Sequence, residues 1–555
     1  MTLPRKHEAD VPLRSADNVM RLARMGSFHP TRLSFMQSLL RRLAREAWRF
    51  ERRCWEIDDK GVGHAVYSVL GPERAYSLVC FAHDLPDEMR SDRVIATAWD
   101  ATFALFDGVP TENDIDRLAR NVPKQEAGRV SDDELSLSRA NRSVRLFEYV
   151  VGCLAEGRQP DRAEIDAVGY LMRTTAVYGS GKFGAADRVK IAGRPELKGP
   201  FQAEMLSVWL TRSFTLDLVE HMARVRDGAQ AVTIDPDLRR RFGVGNSTGL
   251  GMAPFLINHP VLLNNWILAR EEALARVRAL AAADQNSVEG FRSALVRATE
   301  NVALWRSEHP VQEQKLAGLR KDLDALTARC KPDDSFDKPM PWNLLWLWAE
   351  DVLSLEGQEL LVSLLLEPQG DLVDDLADCM DADEDAAFRI DGSMTTQTLR
   401  GILAEVFDWA LSVDYESAPN CARFWYVSEE KLEPRLGERA SEEGAEYEQP
   451  LSTGRDAAQM AADLDHWQGE LSVAAFLLAH PEHRHTARRA QIAARYSYAE
   501  IRDNLISSDL MPIDLLRCKL SFFGADRFDP RSDRWVRICM YRDAPFPQEI
   551  LQAPR

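Results

Sequence analysis

The sequence predicts an α+β, predominantly helical fold with a small sheet formed by N-terminal strands and joined by C-terminal ones. Three observations carry that expectation. Short β-branched and aromatic runs, HAVYSVL at 64–70 and AYSLVCFAH at 75–83, stand near the start. Apolar residues at three- and four-residue spacing fill the middle of the chain. Two further strand-compatible runs, CKLSFFGADRF at 518–528 and DRWVRICMYRD at 533–543, stand near the end. Strand signals at both ends, with helices between them, place the helical part as a large insertion in one sheet.

Composition narrows the class. The 555 residues are 45% hydrophobic, too apolar for a disordered chain, and long enough to bury several cores. With 69 basic against 87 acidic side chains the net charge is -18, so nucleic acid is not an expected partner. No apolar run reaches 18 residues, which argues against a membrane span. The opening MTLPRKHEADVPLR has no apolar core of a secretory signal, and eight scattered cysteines without a CxxC pair suit a reducing compartment. The expected location is cytoplasmic.

In chain order, Phe35, Leu39, Leu40, Leu43, Trp48 and Phe50 predict a helix, continued by the basic RRLAREAWRFERR at 41–53. The runs at 64–70 and 75–83, separated by Gly71-Pro72-Glu73-Arg74, predict neighbouring strands. The stretch 93–108 predicts a third strand or two with a bend. Residues 109–135 are polar and mark a boundary. Val144, Leu146, Phe147, Val150, Val151 and Leu154 form a helical face stopped by Gly157. Asp161 and Glu164 then open a helix that buries Ile165, Val168, Leu171 and Met172. Pro200 starts a long helix with outward Asp217/His221 and Glu220/Arg224 pairs. Helices resume at 261–330, and Pro341 begins a Trp-rich packing helix. The aspartates of 371–385 read as a solvated face, without the glycine spacing of a calcium loop. Residues 431–450 are charged and read as flexible, and helices return from about 455 to 505. Three regions are expected: 1–130, 131–330 and 331–555.

Two glycine-rich stretches can carry chemistry. In YGSGKFGAADR at 178–188, Ser180, Lys182 and Arg188 surround backbone donors, with Arg173 upstream; neither a P-loop nor a dinucleotide fingerprint is present. In Gly243–Gly251, Asn246, Ser247 and Thr248 offer uncharged donors beside glycines that allow close approach. A cleft joining the two would hold a carboxylate or phosphate. His259, ahead of Pro260, would move a proton, with Tyr178 as a donor and Glu204 as a base or as the partner of an arginine. Each of these stretches is equally readable as a tight structural turn.

The expected function is an enzyme acting on a small carboxylated or phosphorylated substrate by charge stabilisation and acid–base chemistry, nominally a lyase. No cofactor and no metal enter that expectation. Its partners are a small anionic substrate and a second copy of the chain, packed through the 261–330 helices. Two alternatives stay open: a helical interaction or scaffolding protein, and a metal-binding regulator built on His480-Pro-Glu-His483-Arg-His485.

Overall fold

The structure, a computed structural model, describes residues 11–86, 98–124, 129–176, 191, 193–197, 199, 201–247, 259–307, 310–331, 333–381, 387–415, 424–428, 434–437, 448–450, 453–502, 512–525, 527–529, 537–546 and 549. Its strands, in chain order, are β1 (Arg49–Ile57), β2 (Gly63–Leu70), β3 (Ala75–Ala82), β4 (Ala101–Asp107), β5 (Glu134–Arg142), β6 (Tyr170–Thr174), β7 (Gly243–Ser247), β8 (Phe424–Ser428), β9 (Pro434–Gly437), β10 (Glu448–Pro450), β11 (Arg527–Asp529) and β12 (Arg537–Met540). No helix among the described residues is long and apolar enough to cross a membrane.

The chain forms two compact units, each drawn from separated stretches. A sheet unit comprises His29–Thr248, Glu300–Glu308 and Lys519–Arg555; a helical unit comprises Met1–Phe28, Gly249–Thr299 and His309–Cys518.

The sheet unit holds nine strands in the order β1-β2-β3-β4-β5-β6-β7-β12-β11. The C-terminal strands therefore join the N-terminal sheet, as expected. β1 to β6 form an antiparallel meander, with Tyr67 opposite Leu78 and Leu78 opposite Leu105. Alternation sends Val66, Val79, Phe81, Ala104, Phe106 and Leu137 to one face, where Leu118 and Val122 cover them. These two belong to the helix Glu112–Asn121 and its C-terminal cap, and the helix opens with a Thr111–Asp114 capping box. The stretch 109–135 thus links two directly paired strands, β4 and β5. The opposite face packs on the helix Gln202–Arg226, whose Phe214 meets Phe103 and Tyr67 edge-on.

Several local expectations change. The first helix spans Phe35–Arg45 and stops at Ala47, whose φ is 52°, so Trp48 lies beyond it and Phe50 in β1. Residues 49–53 of the basic run are strand, because β2 offers a hydrogen-bonding edge. The Asp161-capped helix ends at Val168, where Gly169 turns left-handed at φ 83°, and Leu171 and Met172 belong to β6. Val144 precedes its helix and is exposed. Asp217 and Glu220 face inward rather than out. Asp217 accepts from the Tyr67 hydroxyl at 2.8 Å and from Arg52 at 2.9 Å, while Glu220 accepts from Arg239 at 2.8 Å. The run from 518 to 523 is the end of the helix Pro512–Phe523, not a strand; β11 starts only at Arg527.

Arg212 fastens the long helix to the sheet. Its buried guanidinium donates to the carbonyls of Phe242 at 2.6 Å, Arg240 at 2.8 Å and Ala544 at 2.9 Å. It thereby holds the segment entering β7 and the segment leaving β12 on one side chain.

The helical unit is organised by buried charge. Arg14 donates to Glu271 through Nε and one Nη, each at 2.7 Å, and to Glu359 at 2.7 Å; both carboxylates are fully enclosed. Burial pulls the Arg14 guanidinium down, but the two glutamates outweigh it and leave it raised. The Glu359 carboxyl is pushed up by burial, yet Arg14, Arg270 and Arg24 leave it below the usual range. The group joins the helices Pro260–Arg278 and Leu355–Leu366 to the N-terminal segment. Pro341 opens its helix and buries Trp342 and Trp346, whereas Leu347 and Val352 are exposed. The polar cluster near 495–500 is internal in part, with Glu500 paired to Arg489 at 2.6 Å and the Tyr498 hydroxyl donating to the Arg14 carbonyl at 2.7 Å.

Arg14→Ala removes the shortest partner of two buried carboxylates and leaves them to Arg24 and Arg270 at 3.2–3.4 Å, and urea unfolding is expected to show a loss of about 3 kcal/mol in the helical unit. Gly243→Ala places a methyl group against the Met540 carbonyl oxygen and 2.5 Å from Cys539 Sγ. Neither backbone nor thiol can yield cheaply there, so a loss of about 3 kcal/mol is expected in the sheet unit by the same measurement.

Candidate functional site

β6 and β7 are parallel, whereas the other described pairs of this sheet are antiparallel. A parallel pair cannot be closed by a hairpin, and the helix Gln202–Arg226 lies in the crossover. Both strands consequently end on the same side of the sheet, with Thr174 beside Asn246. The two polar stretches singled out in the sequence follow these two strand ends. The second stretch is not wholly a loop, because 243–247 is strand. Its glycines suit that place: a Cβ on Gly245 would lie 2.8 Å from the Tyr170 ring and 2.9 Å from Arg173 Cγ.

Asn246 is buried and central to a polar chain. Its Nδ2 donates to the Thr174 carbonyl at 3.1 Å, which turns Oδ1 toward the Lys519 Nζ at 2.9 Å. Lys519 sits in the helix Pro512–Phe523, is 1% exposed and has its Nζ 6.0 Å from the Phe523 ring centroid. Phe523 in turn meets Phe201, the residue before the long helix, edge-on at 5.0 Å. Burial lowers the Lys519 pKa to about 7, because an enclosed ammonium loses its hydration. Near neutral pH the group is therefore divided between amine and ammonium. A neutral amine can take a proton or attack a carbonyl, which an ordinary surface lysine cannot do at that pH.

Glu204 is buried in the first turn of the long helix, two residues after Gln202, whose Nε2 donates to the Phe35 carbonyl at 3.3 Å. Arg173 lies at the register position of Gly245, so alternation sends its side chain to the face opposite Asn246. On that face it joins Arg139 and Asn141 of β5, Thr102 of β4 and His83. Arg139 lies 4.2 Å over the Trp99 ring, and His83 Nε2 is 3.1 Å from the Thr102 hydroxyl. Burial lowers the His83 pKa, against a smaller opposing effect of Asp100. The Asn141 Oδ1 accepts from Asp100 N at 3.0 Å, while its buried Nδ2 has no hydrogen-bond partner.

His259 stands at the N-terminal boundary of the helix Pro260–Arg278 in the helical unit, half-buried, its carbonyl accepting from Leu263 N at 3.0 Å. Ser247 is described as the last residue of β7 in backbone only. Tyr178, Ser180, Lys182, Arg188 and Thr248 lie outside the described residues. The sheet thus brings together Asn246 and Thr174, sets Arg173 on the other face, and adds Lys519, which falls in a run the sequence reads only as strand-compatible. A signal was present: Lys519 is the sole charge in CKLSFF, a position where an amphipathic reading would expect an apolar side chain.

A separate cleft of about 230 Å³ is lined by Arg42, Trp48, Arg74 and Glu196 among others. Its Arg42 donates to the Pro195 and Glu196 carbonyls at 3.1 and 2.7 Å. No protein-family model, curated protein or solved structure matches the chain.

The buried amine costs stability, and the sign follows from its titration. Between pH 7 and 10.5 the unfolded chain binds the proton and the folded one does not, so this group makes stability rise with pH over that window. At pH 7 the penalty is about 4 kcal/mol. Lys519→Met removes it and leaves Asn246 Oδ1 without its donor, at a cost of about 2 kcal/mol. Denaturant unfolding at pH 7 is expected to show a net gain of about 2 kcal/mol that shrinks as pH rises to 9.

Proposed function

We propose that the chain is an enzyme that transfers a proton to and from a small carboxylated or phosphorylated substrate, with Lys519 as the base. The observation that carries this reading is the enclosed Lys519 Nζ, held at 2.9 Å by Asn246 beside the ends of the only described parallel strand pair in the sheet. Groups set off the carboxyl ends of parallel strands are where open α/β sheets receive ligands, an analogy that supports the placement.

In this reading the neutral amine removes a proton from the carbon next to the substrate's acidic group. The electron pair left behind forms a double bond as a leaving group departs, which is lyase chemistry, or returns to a neighbouring carbon in an isomerisation. The resulting ammonium gives the proton back. Asn246 positions the amine through Oδ1 and is itself fixed by the Thr174 carbonyl. Lys182 and Arg188 are assigned to the substrate's negative group. Glu204, buried in the first turn of the long helix, is assigned as the second proton carrier.

The test is hydrogen exchange. Small carboxylates and phosphate esters are incubated with the full chain in deuterated buffer and followed by NMR. At least one is expected to exchange the proton next to its acidic group, with a rate that climbs with pH to a plateau above about 7. Lys519→Met is expected to lower that rate by roughly 10²–10⁴. A panel without exchange, or equal rates in the variant, would contradict the proposal.

A further inference from the structure

We propose that Asp463, His480, Glu482 and His483 form a binding site for a single transition-metal ion of the zinc class. The four residues come from three successive elements of the helical unit. Asp463 is near the end of the helix Thr453–Asp465; His480 ends the helix Val473–Ala479; Glu482 and His483 lie in the short turn Pro481–His483. Pro481 breaks the helix there, and the irregular backbone brings both imidazoles to one side. One donor atom from each residue lies within 4.8 Å of the other three.

The donor set suits the metal. Two imidazole nitrogens and two carboxylate oxygens match zinc and its neighbours, while magnesium and calcium prefer oxygen alone. A tetrahedral ion about 2.1 Å from each donor needs neighbours roughly 3.4 Å apart. His483 Nε2 already lies 2.7 Å from Asp463 Oδ2, and His480 Nδ1 lies 3.3 Å from Glu482 Oε1. The remaining closure falls mainly to Glu482, the most exposed of the four and the freest to turn.

The surroundings are shaped for rigidity as well. Phe476 stacks on His483 with parallel planes at 5.7 Å and on His480 at 4.9 Å, and Trp467 meets His480 edge-on at 5.6 Å. This apolar wall holds the rings in place and keeps water from one side. His485 of the sequence motif is not in the group; Asp463, seventeen residues before His480, takes its place. That substitution is why spacing alone gave no recognisable metal motif. Bound metal would pin the 453–465 helix to the turn and so brace the core of Leu399, Leu403, Phe407, Met460 and Phe476.

The test uses the tag-free full chain, stripped with a chelator and titrated with zinc or cobalt(II). One equivalent is expected to bind, with the visible absorption of tetrahedral cobalt and a rise in Tm, while magnesium does neither. His480→Gln and Glu482→Gln, each on a partly exposed side chain, are expected to weaken binding at least tenfold while the metal-free Tm holds. A second group, Cys54, Glu56 and His64, also gathers possible ligands, so His64→Gln is the control and should retain full affinity. No stoichiometric binding, equal affinity in the His480 and Glu482 variants, or loss in His64→Gln alone would overturn the proposal.

Discussion

The sheet unit depends on a strand with almost no room beside it. β7 runs between β6 and β12, and at Gly243 and Gly245 its neighbours occupy the space a side chain would need. That close approach lets N-terminal and C-terminal strands form one sheet across a long insertion. It also fixes Asn246. With glycine on either side of Val244, the strand's polar reach is concentrated at its end, where the amide bridges Thr174 and Lys519. Arg212 secures the same region from the helix above, by holding three carbonyls around the entrance to β7 and the exit of β12.

The two units treat buried charge in opposite ways. Around Arg14 each cation faces carboxylates, so the cost of burial is returned by Coulomb attraction and short hydrogen bonds. Such a group orients helices. Lys519 is enclosed beside the Asn246 amide and Phe523, and its burial lowers the pKa of the amine. A fold that only needed a filled position there would be more stable with an apolar side chain.

Much of the architecture was legible. The β-branched runs at 64–70 and 75–83, the turn between them and the terminal strand through Ile538 gave the sheet and its membership. Asp161, Gly157 and Pro341 marked helix ends through local chemistry that needs no tertiary context. What failed depended on neighbours. Arg49–Arg53 pattern as helix until β2 supplies an edge, and 518–523 pattern as strand although they finish a helix. β7 reads as a loop because glycine is a poor strand former, and only the crowding by Tyr170, Arg173 and Cys539 explains its use. Of the candidate site, Asn246 was visible as a donor beside glycines. Lys519 was not, because its chemistry comes from enclosure, and enclosure is a property of the fold. Arg173 was assigned to the shared cleft because it lies just upstream of 178–188; strand alternation puts it on the face opposite Asn246.

The central claim is that one lysine of this chain is substantially uncharged at neutral pH. A ¹³C NMR titration of the lysine ε-carbons, with Lys519→Met to assign the signal, measures it directly. The account predicts a Lys519 midpoint near pH 7, well apart from the remaining lysines. A Lys519 midpoint at the ordinary lysine value of 10.5 would overturn it.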